Sequence, residues 1–183
     1  MGLHPVLAVR CRRDLLLHHL APMGLAAARE TALLIDLDDD GPGYPGKLSL
    51  AALISEGARR RDLGPTKKGV AVLANGGADL DEALGLIALL AGGWPAVVVR
   101  IGSSDVPYPV VDVSPEFPAG WASGDDEALV IQPVGRWSRT SRADVTRLPP
   151  LRRSQVRAML SGTIHPRWRW VRAWRRVWEL PWD

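Results

Sequence analysis

The sequence predicts an α/β fold: a parallel sheet sandwiched between helix layers, with a helical extension at the C-terminus. Three observations predict it. Short β-prone apolar runs alternate with segments of helical spacing through the first 100 residues, a rhythm that specifies a parallel sheet with right-handed crossovers. One of those runs, residues 31–38, is continuously apolar up to its acidic end, as expected of a strand covered on both faces. The 183-residue chain is 46% hydrophobic and 23% charged, which suits a packed domain rather than extensive disorder, and no apolar run reaches the roughly 18 residues of a membrane-spanning helix.

The elements follow in order. Residues 6–10 are a β-prone run, and residues 14–29 place Leu, His and Ala at helical spacing, so the chain opens strand then helix. Residues 31–38 form the second strand, followed by a loop punctuated at Gly41, Pro42, Gly43, Pro45 and Gly46. Residues 48–60 read as a helix, 69–74 as a third strand, 79–90 as a helix with Asp near its positive end, and 95–101 as a fourth strand. After Gly102 four prolines, Pro107, Pro109, Pro115 and Pro118, predict loop or a short edge strand around residues 110–113, since proline cannot donate to a central ladder. Residues 128–133 are expected to be the last strand. Residues 136–150 carry Arg, Ser and Thr without hydrophobic period and read as a basic linker; residues 151–183 read as an Arg/Trp-rich helical tail. In that tail 151–160 is a short helix, and a terminal helix starts near His165 and Pro166, with Thr163 or His165 as cap, and runs to about Glu179.

Charge and cysteine content narrow the function classes. Residues 1–135 hold 11 Lys+Arg against 17 Asp+Glu, a net of −6, whereas residues 136–183 hold 12 Arg against 3 acids, a net of +9. The single cysteine, Cys11, rules out an intramolecular disulfide and any Cys-x-x-Cys site. With no basic region leading into a long apolar stretch at the start, a cytoplasmic setting is expected.

The run Ala32-Leu33-Leu34-Ile35-Asp36-Leu37-Asp38, ending in an Asp-x-Asp pair, resembles the second strand of the ParA/MinD family of P-loop ATPases. The order and spacing of residues 5–135 agree with that resemblance, which implies a P-loop NTPase-like sheet with its site at the carboxyl ends of the strands. In that family a phosphate-binding loop follows the first strand. Its chemistry needs glycines, so that backbone N–H groups turn onto the phosphates, with a lysine and a Ser/Thr for magnesium. Here the same place reads Arg10-Cys11-Arg12-Arg13-Asp14-Leu15-Leu16. The family's later metal-associated acid is expected near Arg100, where an arginine would repel a cation. The resemblance therefore implies a pseudo-ATPase: no enzyme, no catalytic residue, no cofactor and no resident metal.

Asp36 and Asp38 are the retained acids, readable as a metal-site remnant or, more simply, as the start of a solvated turn; Arg12 and Arg13 could contact an anion at the first helix's N-terminus. His18 and His19 are adjacent and offer no zinc spacing. Cys11 is either a buried cysteine or a thiol activated by its arginine neighbours. Ser103, Ser104 and Asp105 have no partner base in reach of sequence argument, and Asp125, Asp126 and Glu127 read as a solvated acidic loop.

In the terminal helix Trp170, Trp174 and Trp178 fall on one face, with Trp168 ahead of them, while Arg169, Arg172 and Arg176 lie opposite. Burying an indole removes about 150–250 Å² from water, so this face needs a cover. Four covers are open: the chain's own core, a protein partner or second copy, an anionic membrane, or nucleic acid. The expectation is a scaffold or regulatory subunit that uses these seven residues to bind a protein partner or to homo-oligomerise. The rivals are a divergent ATPase built on Arg12, Arg13, Asp36 and Asp38, and a nucleic-acid or membrane binder using the basic C-terminus.

Overall fold

The structure is a computed structural model and describes residues 6–38, 41–46, 48–59, 63–115, 127–131 and 145–182. Its strands are β1 (Val6–Arg10), β2 (Thr31–Asp36), β3 (Gly69–Leu73), β4 (Val97–Arg100), β5 (Val110–Ser114), β6 (Glu127–Ile131) and β7 (Val145–Arg147). Its helices are α1 (Leu15–Ala27), α2 (Leu50–Glu56), α3 (Leu80–Ala91), α4 (Arg153–Leu160), α5 (Arg169–Ala173) and α6 (Arg175–Trp178). The strands form one sheet in the order β3-β2-β4-β1-β5-β6-β7, and every pairing is parallel.

Period-2 alternation divides the strand side chains between two cores. Leu7, Val9, Leu34, Val98, Val111 and Val113 face α1 and the C-terminal helices. Val6, Ala8, Leu33, Ile35, Val97 and Val99 face α2 and α3. Side-chain caps start three of the helices: Asp14 accepts from Leu17 N at 2.9 Å, Ser49 from Ala52 N at 3.2 Å, and Asp79 from Asp81 N at 3.0 Å. The expected helix over 48–60 is shorter than its pattern, because Gly57 turns the chain with a φ of +79°. Among the described residues no helix is long and apolar enough to cross a membrane.

Three expectations are corrected. β5 is not an edge strand but lies between β1 and β6. Its prolines flank the ladder instead of interrupting it, and the Pro109 carbonyl accepts Ala8 N at 2.9 Å. β6 is not the last strand, since β7 emerges from the segment read as a linker and pairs Val145 with Leu129; residues 136–144 of that segment lie outside the described residues. The terminal helix is two short helices. Trp168, not Thr163 or His165, is the N-cap residue of α5, and the amide of Trp174 turns to the Val171 carbonyl at 3.2 Å, closing one helix before the next begins.

Candidate functional site

The connection from β1 to β2 passes over β4 to one side, and the connection from β4 to β5 passes β1 to the other, so β1 and β4 flank the topological switch point. Open parallel sheets bind ligands in the crevice beyond the carboxyl ends of such strands. Here that crevice is filled from within. Arg100, the last residue of β4, is fully buried, at 0% exposure. Its Nη1 donates to Asp36 Oδ2 at 3.3 Å and to the Pro42 carbonyl at 2.8 Å, and its Nη2 donates to Asp38 Oδ2 in a short ion pair. The Tyr44 ring lies 5.2 Å from the guanidinium carbon, within cation–π range.

The two acids are not the start of a solvated turn: Asp36 is 2% and Asp38 8% exposed. Asp36 Oδ1 accepts the Asp38 amide at 3.2 Å and Asp36 Oδ2 the Tyr44 amide at 3.3 Å. Burial pushes the Asp36 carboxyl up from its ordinary value despite Arg100. Burial also acts on Asp38, but the His18 hydrogen bond and the Arg100 charge outweigh it and hold that carboxyl below the usual range. The loops are thin where they cross this network. A Cβ on Gly41 would meet Arg100 Nη2 at 2.5 Å and Asp38 Oδ2 at 2.6 Å, and one on Gly102 would meet Asp38 Oδ1 at 2.5 Å.

Where a phosphate loop would offer its amides to a ligand, this chain bonds two of them to its own side chains. The amide of Cys11 donates to His18 Nδ1 at 3.3 Å, and that of Leu17 is taken by the Asp14 cap. Because His18 Nδ1 accepts, its proton sits on Nε2, which donates to Asp38 Oδ2 at 3.0 Å. Cys11 is buried and its thiol is pushed up by burial, the opposite of an activated nucleophile. His19 stacks on Tyr44 at 4.5 Å, and the Tyr44 hydroxyl donates to the His19 carbonyl at 2.6 Å. Burial, and then the Arg100 charge, lower the His19 imidazole below its ordinary value.

The structure separates the residues that the sequence had grouped. Asp36 and Asp38 lie in the buried network, whereas Arg12 and Arg13 are exposed and bonded to neither acid. Sequence reasoning missed His18 and Tyr44. A signal exists for His18, which stands one turn beyond the Asp14 cap, so its side chain leans back toward the strand end; nothing in the loop marks Tyr44. Ser103 and Asp105 are exposed, while Asp39, Asp40, Asp125 and Asp126 and the Glu127 side chain lie outside the described residues. Among the described residues no three His, Cys, Asp or Glu are disposed to hold a metal ion.

The tryptophans expected to bind a partner are corrected to core. Trp170, Trp174 and Trp178 are 1%, 0% and 5% exposed and pack with Val171 and Val177 against α1, with Trp168 half-buried beside them. Trp170 and Trp174 meet edge to face at 5.6 Å, and Trp178 Nε1 donates to the Leu25 carbonyl at 2.9 Å. Arg169, Arg172 and Arg176 point the other way and are exposed, as are Arg152, Arg153, Arg157, Arg167 and Arg175.

Fold and site together define a parallel α/β protein with helices on both faces and a salt-bridged switch-point crevice. Comparison with protein-family models, with curated proteins and with solved structures finds no match to the chain.

Proposed function

We propose that this chain is a noncatalytic, ParA/MinD-like α/β protein that works by binding, as a scaffold or regulatory subunit. One observation carries the reading: the Arg100 guanidinium stands between Asp36 and Asp38 at the strand ends, where a nucleotide-hydrolysing relative would need a metal. Phosphoryl transfer depends on cations and amides aimed at the transferring group. In this chain the cation is tethered and spent on its own carboxylates, and the amides of Cys11 and Leu17 are bonded to its own side chains. The binding role falls to the outward side of the C-terminal helices. Indoles fix those helices to α1, leaving Arg169, Arg172 and Arg176 free to meet an acidic surface on a protein partner.

The test is charge reversal at Arg169, Arg172 and Arg176 to Glu, substitutions that the exposed positions should tolerate without unfolding. Proteins captured by the wild-type chain under native conditions are expected to be lost by the variant. Sedimentation of both forms reads whether the lost partner is a second copy. Capture of the same set by the reversed variant contradicts the docking role.

A further inference from the structure

A cavity of about 390 Å³ opens on the α1 side of the sheet, next to the Arg100 network, with which it shares Tyr44 and His19. Its inner wall is Leu34 of β2 with Val70 and Val72 of β3, its sides are Met23 and His19 of α1, and its roof is Met159 of α4 with Ile164 beyond that helix. The size falls within the roughly 300–1,000 Å³ of ordinary small-molecule sites. β3 is the sheet edge, and Val70 and Val72 are only half-buried there. Such a wall suits water poorly, since an ordered water needs two to four polar partners. Two methionines in the lining give it an adaptable shape.

One buried polar atom in the lining residues is unpartnered. His19 Nδ1 is buried and has no hydrogen-bond partner, and Met23, one turn further along α1, lines the cavity beside it. At the rim α4 ends, bringing the negative end of a helix toward the mouth beside the exposed hydroxyl of Thr163. The His19 Nδ1 lone pair can accept from a hydroxyl, whereas a carboxylate has no proton to give it. The guanidinium of Arg100, the nearest buried cation, is screened from the cavity by Tyr44.

We propose that this cavity binds a small, uncharged, mainly hydrocarbon molecule that carries a hydroxyl group. The inference is independent of the noncatalytic reading, because the cavity needs neither nucleotide nor the arginine face. The chain has three methionines, Met1, Met23 and Met159, two of which line the cavity, so methyl-labelled methionine gives a spectrum with two reporters and an internal control. Titration of the full chain with 1-octanol is expected to move the Met23 and Met159 methyl signals saturably and leave Met1 in place, with octanoate at least tenfold weaker, roughly the loss of one interaction worth 1.4 kcal/mol. Val70→Phe fills the cavity from a strand position that accepts an aromatic and is expected to weaken octanol by a similar factor; Thr163→Phe, at the exposed rim, reads the same loss should the first variant fail to fold. Absence of saturable shifts up to the solubility of octanol, binding of octanoate as tight as octanol, or shifts that survive in both folded variants overturns the proposal.

Discussion

A guanidinium with no exposed surface needs its charge matched, and Arg100 is matched by two carboxylates, a carbonyl and an aromatic face, while its buried Nε has no hydrogen-bond partner. Removing it leaves Asp36 and Asp38 buried together without a counter-ion. Arg100→Met is expected to cost about 3–5 kcal/mol in a urea unfolding titration. Asp38→Asn removes a charged acceptor shared by Arg100 and His18 and is expected to cost about 2–3 kcal/mol at neutral pH. Its pH dependence has a defined sign. The folded-state value of Asp38 lies below the ordinary 3.8, so its contribution is complete above that value and is lost as pH falls through the depressed one. The gap between wild type and Asp38→Asn should therefore be widest near neutrality and close in strong acid. Asp36, pushed up by burial, acts with the opposite sign: its ionisation above 3.8 disfavours the folded state, and Asp36→Asn removes that penalty. At this scale the sequence made the Asp pair legible, because an acidic end to an apolar strand is a local pattern. That Arg100 closes on the same pair, 64 and 62 residues away, is a property of the β2–β4 register, which places Asp36 beside Arg100 and has no local signature.

The tail helices show how an amphipathic pattern underdetermines its cover. Spacing told which face of residues 168–178 must be buried; only packing tells that α1 buries it. The complementary surface is Gly24, the point of closest approach, where a Cβ would collide with the rings of Trp170 and Trp174. Intrinsic propensity favours Ala over Gly inside a helix by about 1 kcal/mol, yet Gly24→Ala is expected to destabilise by about 1–3 kcal/mol, because neither indole has room to yield. Thermal unfolding of that single variant decides between the two effects. Removal of residues 151–183 is expected to unfold the chain, since it uncovers the α1 side of the core at Leu20 and Leu25; near-ultraviolet circular dichroism and urea sensitivity of the shortened chain measure this. The β-strand expectations failed in a related way. Prolines around residues 110–113 were weighed as ladder breakers, but they stand outside β5, and the three residues of β7 are too few for any period to declare itself.

At the scale of the whole molecule, the alternation of strands and helices made the sheet legible from composition and periodicity, and the observed two-sided core follows from the same pattern. The strand order was not legible, because periodicity carries no information about which strands become neighbours. That order brings β1, β2 and β4 side by side and turns three separate sequence features, the bonded amides after β1, the acids after β2 and the arginine of β4, into one closed crevice. At the carboxyl ends of these strands the crevice is filled by the chain's own side chains. Calorimetric titration of the full-length chain with ATP and magnesium tests it most directly. No binding heat above dilution is expected, and micromolar binding that Asp38→Ala abolishes would contradict it.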